Sequence, residues 1–359
     1  MKKIDLYIIR KFLKTFFFIL GLILAIAIIF DVTEKLDDFL KHDVPLSEII
    51  YDYYVNFIFF YGNLFSPLFI FLAVIIFTSS MAYKSEIIAI LSAGVSFQRL
   101  MFPYFLAATF LAIISLWLNH FTVPHASRER VAFEQAYVGY RAKDPNKNLH
   151  KQIKPGHYIY VESYNVDRAS GYKFSYEIIE GSEIKSKFMS QFMTWDSLNQ
   201  HWIMRRYQHR YLDDKEEEVL VTGNILDTIM PFDPKEFEHK DYNIQMMDTP
   251  ELNKFIDDEA LRGSELLPVY KVEKYQRTAL PLATYILTLI GVSFASRKVR
   301  GGIGLHIAIS IGISFSYILA MQVTKVYAVN AGLNPFIAVW LPNIFFGILA
   351  IYFYVRAPK

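Results

Sequence analysis

Six stretches of this chain are apolar enough, and poor enough in charge, that water is an unfavourable place for them. They lie at about residues 12–30, within 53–83, from about Leu100 to Phe121, and at about 278–296, 303–324 and 335–355. Segment 53–83 has no charged residue at all. Crossing roughly 30 Å of hydrocarbon takes about 20 apolar residues in a helix. Lipid offers the backbone no hydrogen-bond partners, so each stretch must satisfy its own. The reading is six transmembrane helices, three before and three after a polar middle.

Lys and Arg in the short loops set the orientation. Lys2, Lys3, Arg10, Lys11 and Lys14 precede or open the first span. Lys84 and Arg99 join spans two and three, Arg297, Lys298 and Arg300 join four and five, and Arg356 and Lys359 follow six. The opposite side has only Lys35, Lys41 and Lys325 in its short loops. Both termini are therefore expected in the cytoplasm and the middle, about 123–276, outside. The first apolar run lacks a small-residue cleavage site followed by a polar start, so it reads as a retained span and not a signal peptide. A net charge of +2 gives no reason to expect a nucleic-acid partner. With no cysteine, disulfides, thiolate metal sites and cysteine nucleophiles are excluded.

The middle reads mainly as β. HYIYVESYN (157–165), HWIMRRYQHRYL (201–212) and EEVLVTGN (217–224) are rich in aromatic and β-branched residues. Turn signals at Asp144-Pro145-Asn146, Ser170-Gly171 and Asp213-Asp214 separate such runs. The spacing suggests an antiparallel sandwich or jelly roll. TPELNKFIDDEALR then predicts a helix, with Thr249 as N-cap, Pro250 at the first helical position and Glu251 in the first turn.

The chain contains no phosphate-binding GxxxxGK[ST], no HExxH and no GxSxG. His120 and His125 read as interfacial residues, His201 and His209 as residues of a strand, and Asp257-Asp258-Glu259 as a solvated helix face. No catalytic set assembles, and no cofactor is implied. Spans two, five and six are read as essentially free of ionisable groups, which disfavours an ion-coupled carrier. Pro67 and Pro342, inside spans two and six, are expected to kink their helices.

KSEIIAILSAGVS, residues 84–96, is too short in apolar length to span yet lies between two spans. Ser85 is placed to cap a helix, Glu86 to meet its positive end, and Gly94 to end it in a left-handed conformation. Ile87, Ile88, Ile90 and Leu91 give it an apolar face. Such a helix lies either on the membrane surface or in a groove of a cytoplasmic partner.

The whole chain resembles the LptF/LptG (YjgP/YjgQ) permeases of lipopolysaccharide export. The resemblance rests on LYIIRKFLKTF, on SEIIAILSAGVSFQRL with a Glu followed by Ala-Gly-Val-Ser, on MMDTPELNKFI leading into VEKYQRTALPLA with Glu273, Arg277 and Pro281 in register, and on GLNPFIAVWLPNIFF. It implies an α-helical membrane protein: residues 1–122 with transmembrane helices 1–3 and a coupling helix at 85–94, an all-β, jelly-roll-like periplasmic domain at 123–276, and helices 4–6 at 277–359. The family's permeases pair, carry an LptB-like ATPase dimer beneath them and hand lipopolysaccharide to an LptC/LptA-like periplasmic bridge. The coupling set is then Ser85, Glu86, Ile87, Ile90, Leu91 and Gly94, with Glu86 the key contact. Lipopolysaccharide carries phosphates, so Lys35, Lys41, Arg128 and Arg130 are the candidate lipid contacts, although Asp31, Glu34, Asp37 and Asp38 surround Lys35 and an Asp31–Lys35 helical pair competes for it. The rival readings are a signalling protein with an external ligand-binding β-domain, and a secondary carrier.

Overall fold

The computed structural model describes residues 2–138, 147–166, 168–181, 183–213, 217–237, 244–264, 266–297 and 302–357. The expected turn at Asp144-Pro145-Asn146, and Asp214, Lys298, Arg300 and Lys359, lie outside them. The first unit comprises 1–140, 244–252 and 268–359, and the second 141–243 and 253–267.

The first unit is helical. α1 (Lys3–Lys41) is followed by the single turn α2 (Leu46–Glu48), a π-helical segment at Ile49–Tyr54, and then α3 (Val55–Leu64) and α4 (Ser66–Tyr83). α5 (Glu86–Ser92) and α6 (Phe97–Trp117) come next, and a second π segment, Leu118–Thr122, runs into α7 (Val123–Tyr137). Beyond the sheet, α8 (Thr249–Leu261) precedes α9 (Leu267–Ala295), α10 (Gly302–Asn330) and α11 (Pro335–Val355). Among the described residues, six helices are long and apolar enough to cross a membrane, as the hydropathy pattern requires.

The prolines act differently from one another. Pro67 does not kink a continuous span. The helix stops at Phe65, and Pro67 sits in the first turn of α4, where its missing N–H has no intrahelical acceptor to lose. Pro342 does lie inside α11. The α8 cap also differs from expectation by one residue. Glu251 N–H donates to Asp248 Oδ1 at 2.8 Å and Asp248 N–H to Glu251 Oε2 at 3.2 Å, a reciprocal capping box. Thr249 Oγ1 instead meets His120 Nδ1 at 2.7 Å.

Polar contacts fix the helices laterally, because hydrocarbon cannot compete for them. Asn63 Nδ2 donates to Asn119 Oδ1 at 2.9 Å and Ser115 Oγ to Asn63 Oδ1 at 2.9 Å, tying α3 to α6. Tyr317 of α10 donates to Asn343 of α11, which donates on to the Ala279 carbonyl of α9. Span five is not free of ionisable groups: His306 is buried one turn into α10, with Nδ1 2.7 Å from Ser79 Oγ of α4.

Among its described residues, the second unit holds one sheet of six strands: β1 (Lys147–Lys154), β2 (His157–Asn165), β3 (Ser170–Glu180), β4 (Glu183–Asp196), β5 (His201–Leu212) and β6 (Glu218–Thr228). They hydrogen-bond in chain order, each antiparallel to the next. The strands lie within the stretch expected to be β and connect as a meander, but the domain is narrower than the expected 123–276, since Val123–Tyr137 and the start of α9 are helical and belong to the first unit. Gly156 turns β1 into β2 at φ +77°, where a Cβ would lie 2.7 Å from the Ile179 carbonyl oxygen. Trp202, Phe174, Phe237 and Met204 fill the core, and Trp202 Nε1 donates to the Phe232 carbonyl at 3.0 Å.

Two sheet histidines make the domain acid-sensitive. Burial, with Lys154 nearby, holds the His157 imidazole below its ordinary 6.5, and burial does the same for His209. The unfolded chain then binds more protons than the folded one once pH drops past 6.5. Their stability contribution is complete above that value and is lost as pH falls toward the folded pKa values. The thermal midpoint of the sheet, followed by tryptophan fluorescence, should fall on acidification from pH 7, and a His157→Gln/His209→Gln variant should flatten that slope. Trp202→Ala should cost about 3–5 kcal/mol at neutral pH.

Candidate functional site

Two charged constellations stand out in the helical unit. The first surrounds α5. Ser85 precedes the helix with φ +60°, and its side chain makes no capping hydrogen bond, so the expected Ser85 cap does not form. The helix is instead started by main-chain bonds, with Ala89 N–H donating to the Ser85 carbonyl at 3.0 Å. Gly94 ends the turn at φ +82°, as the sequence required, and a Cβ there would meet nothing within 4 Å.

The apolar face of α5 is divided. Ile87 is wholly buried among Ile8, Met81, Ala82 and Phe97, and Ile90 and Leu91 pack on the same cluster. Ile88 points away and is 49% exposed, and Tyr83, just before the helix, is exposed as well. Of the coupling set, Ile87, Ile90 and Leu91 therefore anchor the helix to its own protein. Ile88 and Tyr83 are left for any outside contact. Periodicity marked all the isoleucines as one face and could not say which side faced inward.

Glu86 is held by α1. Tyr7 Oη donates to Glu86 Oε2 at 2.9 Å, Lys11 Nζ lies 3.5 Å from the same oxygen, and Lys11 Nζ donates to Tyr7 Oη at 2.8 Å. Close by, Arg99 at the start of α6 grips Asp5 with two bonds of 2.7 Å. Asp5 is only 2% exposed, and such a fork geometry is the strong form of a carboxylate–guanidinium pair. Asp5 and Tyr7 were not among the sequence candidates. Their signal was only the acidic and aromatic pair within a basic N-terminal helix.

The second constellation joins α1, the π segment and α7. Lys35 Nζ donates to Asp31 Oδ1 at 2.9 Å, approaches Glu134 Oε1 at 3.3 Å, and contacts the Tyr53 hydroxyl. Arg130 Nη1 donates to the same Glu134 oxygen at 2.8 Å, and its guanidinium lies over the Phe60 ring. Tyr53 and Tyr54 hydroxyls add bonds to Asp31 at 3.2 and 3.1 Å. Two cations thus face two carboxylates among aromatic rings, with side chains at most 15% exposed. The structure brings Lys35 and Arg130 together here. Arg128 is exposed and pairs with Glu251 at 3.0 Å, also donating to the Met246 carbonyl, while Lys41 is exposed at the end of α1.

Among known proteins, the family model described as Lipopolysaccharide export system permease LptF/LptG matches residues 6–356, nearly the whole chain. No individual curated protein matches it significantly.

The cluster has a measurable signature. Lys35→Met would leave Asp31 without its cation and Glu134 with Arg130 alone, and breaking a buried pair this way should destabilise by about 3–5 kcal/mol. Lys35→Met/Asp31→Asn, which removes both partners and leaves Arg130 with Glu134, should recover much of that loss. Denaturation midpoints of the two variants in detergent check the order.

Proposed function

Because the chain belongs to the LptF/LptG family of lipopolysaccharide export permeases, we propose that it is the membrane subunit of an ATP-driven exporter that draws lipopolysaccharide from the inner membrane and passes it toward the outer membrane. Nucleotide hydrolysis is assigned to a separate LptB-like ATPase dimer, since this chain carries no phosphate-binding loop. A second permease subunit and an LptC/LptA-like bridge complete the assembly. The loop charges support termini in the cytoplasm and the sheet domain in the periplasm.

The observation that carries the coupling assignment is the split face of α5. A short helix fixed to its own bundle by Ile87, and showing Ile88 and Tyr83 outward, is suited to transmit a push from a partner's groove. Glu86 has two roles in this reading. It contacts the ATPase, and through Tyr7 and Lys11 it links that contact to α1. Ser85 and Gly94 shape the two ends of the element, and Ile90 and Leu91 support it from beneath.

For the lipid, acyl burial supplies most of the grip, at about 0.8 kcal/mol per CH₂. Lys41, exposed at the end of α1, is the best phosphate contact of the four candidates, and Arg128 follows, exposed but paired with Glu251. Lys35 and Arg130 already face carboxylates, and a phosphate would have to displace Asp31 or Glu134 to reach them.

Glu86→Ala should uncouple ATP hydrolysis from export while the membrane fold stays intact. Ile88→Asp should weaken co-purification of the ATPase about tenfold or more, as loss of an interface anchor does, with no change in the permease's own denaturation midpoint. Pull-down with quantified ATPase, alongside an export assay, reads both. Normal export by Glu86→Ala would count against the coupling role of this turn.

A further inference from the structure

The sheet carries a crease that regular β geometry does not produce. Along a strand, residues facing one side recur every two positions. In four adjacent strands of this domain the inward residues skip three: Val161 to Tyr164, Gly171 to Phe174, Ser190 to Met193, and Met204 to Tyr207. The positions are in register, with Val161 opposite Phe174, Phe174 opposite Ser190 and Ser190 opposite Tyr207. Between these rows lie two consecutive residues per strand that both turn from the core.

Two of those residues hold left-handed backbone in mid-strand, Lys173 at φ +49° and Arg206 at φ +51°. Neither is a glycine, and a side chain makes this conformation unfavourable. Strain of this kind persists where the surrounding structure enforces it, often at ligand sites. Here both strained residues are basic, and both line one trough of about 1320 Å³ that follows the crease.

The lining chemistry narrows what the trough would hold. Lys173, Lys187 and Arg206 stand against one lining carboxylate, Glu162, which lies 2.5 Å from Lys173 Nζ. Lys187 also pairs with Glu177 at 2.7 Å. Arg206 Nη1 donates to the Gln191 amide at 3.2 Å, and Lys173 remains 70% exposed despite its partner. The rest is mostly tyrosine rings, amides and hydroxyls, with Phe174 and Met189 as its apolar side chains. No Leu, Ile or Val is among the lining residues, which argues against an acyl chain. Rings that stack on the C–H face of a sugar, amides that bond its hydroxyls and cations that take a phosphate make one coherent set.

We propose that this trough binds the phosphorylated saccharide portion of the exported lipid, separately from whatever surface takes its acyl chains. The assignment rests on the lipopolysaccharide-export reading above. Lys173 and Arg206, both in left-handed backbone at the crease, supply two of its cations.

The test uses full-length protein in nanodiscs. Four probes are titrated: intact lipopolysaccharide, its acyl-free phosphorylated oligosaccharide, the same oligosaccharide after phosphatase treatment, and inorganic phosphate. Wild type should bind the phosphorylated oligosaccharide, and the dephosphorylated form should bind about tenfold or more weakly, the scale of one lost charge-assisted bond. Lys187→Gln and Arg206→Gly should weaken the phosphorylated form to a similar extent. Arg206→Gly also removes the backbone strain, so its thermal midpoint should hold or rise while binding falls, a split that a purely structural role would not give. Equal binding by wild type and variants overturns the proposal. So does inorganic phosphate that competes as tightly as the oligosaccharide, which would mark a bare anion patch. Binding of intact lipopolysaccharide without any of the oligosaccharide overturns the trough alone, whereas failure of wild type to bind either overturns the export reading with it.

Discussion

The position of α1 depends on charges at its two ends. A helix of 39 residues is about 58 Å long, nearly twice the thickness of bilayer hydrocarbon. Its middle is apolar and leaves Phe17, Phe18, Leu22, Ile26 and Ile29 exposed on its surface, so packing within the chain fixes its depth and rotation only in part. The ends supply what the middle lacks. Asp5 is clamped by Arg99 at one end, and Asp31 and Lys35 enter the ionic cluster with Glu134 and Arg130 at the other. Removing water from such groups is costly, and only reciprocal pairing offsets that cost.

This arrangement also links the two constellations covalently. Tyr7 and Lys11 reach Glu86, while Lys35 on the same helix holds the π segment and α7. No proline interrupts α1, and its backbone stays helical from one set of charges to the other. A displacement of the α5 turn is therefore applied to a stiff element whose far end grips other helices. Several other contacts between helices are neutral bonds. Asn63, Ser115 and Asn119 join α3 to α6, Asn343 joins α9, α10 and α11, and Ser79 with His306 joins α4 to α10. In hydrocarbon each contributes about 1 kcal/mol, enough to choose one packing over another without locking it.

The sheet domain works by a different rule. Its core is aromatic, centred on Trp202 and the rings of Phe174, Phe232 and Phe237. A regular six-stranded meander would have uniform faces. The crease breaks that uniformity, and two basic residues stand where it does so. Local strain and surface chemistry coincide there, which is the pattern expected when a fold sacrifices ideal geometry for a binding surface.

The sequence by itself determined the class of fold. Long apolar runs can only be helices in lipid, so six spans and their order followed from hydropathy. The aromatic and β-branched residues of 157–165 and 201–212 located strands, because such side chains suit a pleated, half-buried surface. Gly94 as a helix stop was also legible, since the left-handed position leaves few other choices. What tertiary structure decided was which partner each polar or apolar group took. Ser85 has the composition of a cap and does not act as one, while Asp248 replaces Thr249 as the cap of α8. Ile87 and Ile88 are adjacent and chemically alike, yet one is core and the other exposed. Lys35 had four acidic neighbours in sequence, and the pairing with Glu134, 99 residues away, became visible only in the fold. The left-handed turns at Lys173 and Arg206 had no sequence signal, because neither residue favours that conformation. Periodicity reports how many faces a segment has, but partners distant in the chain determine what each face meets.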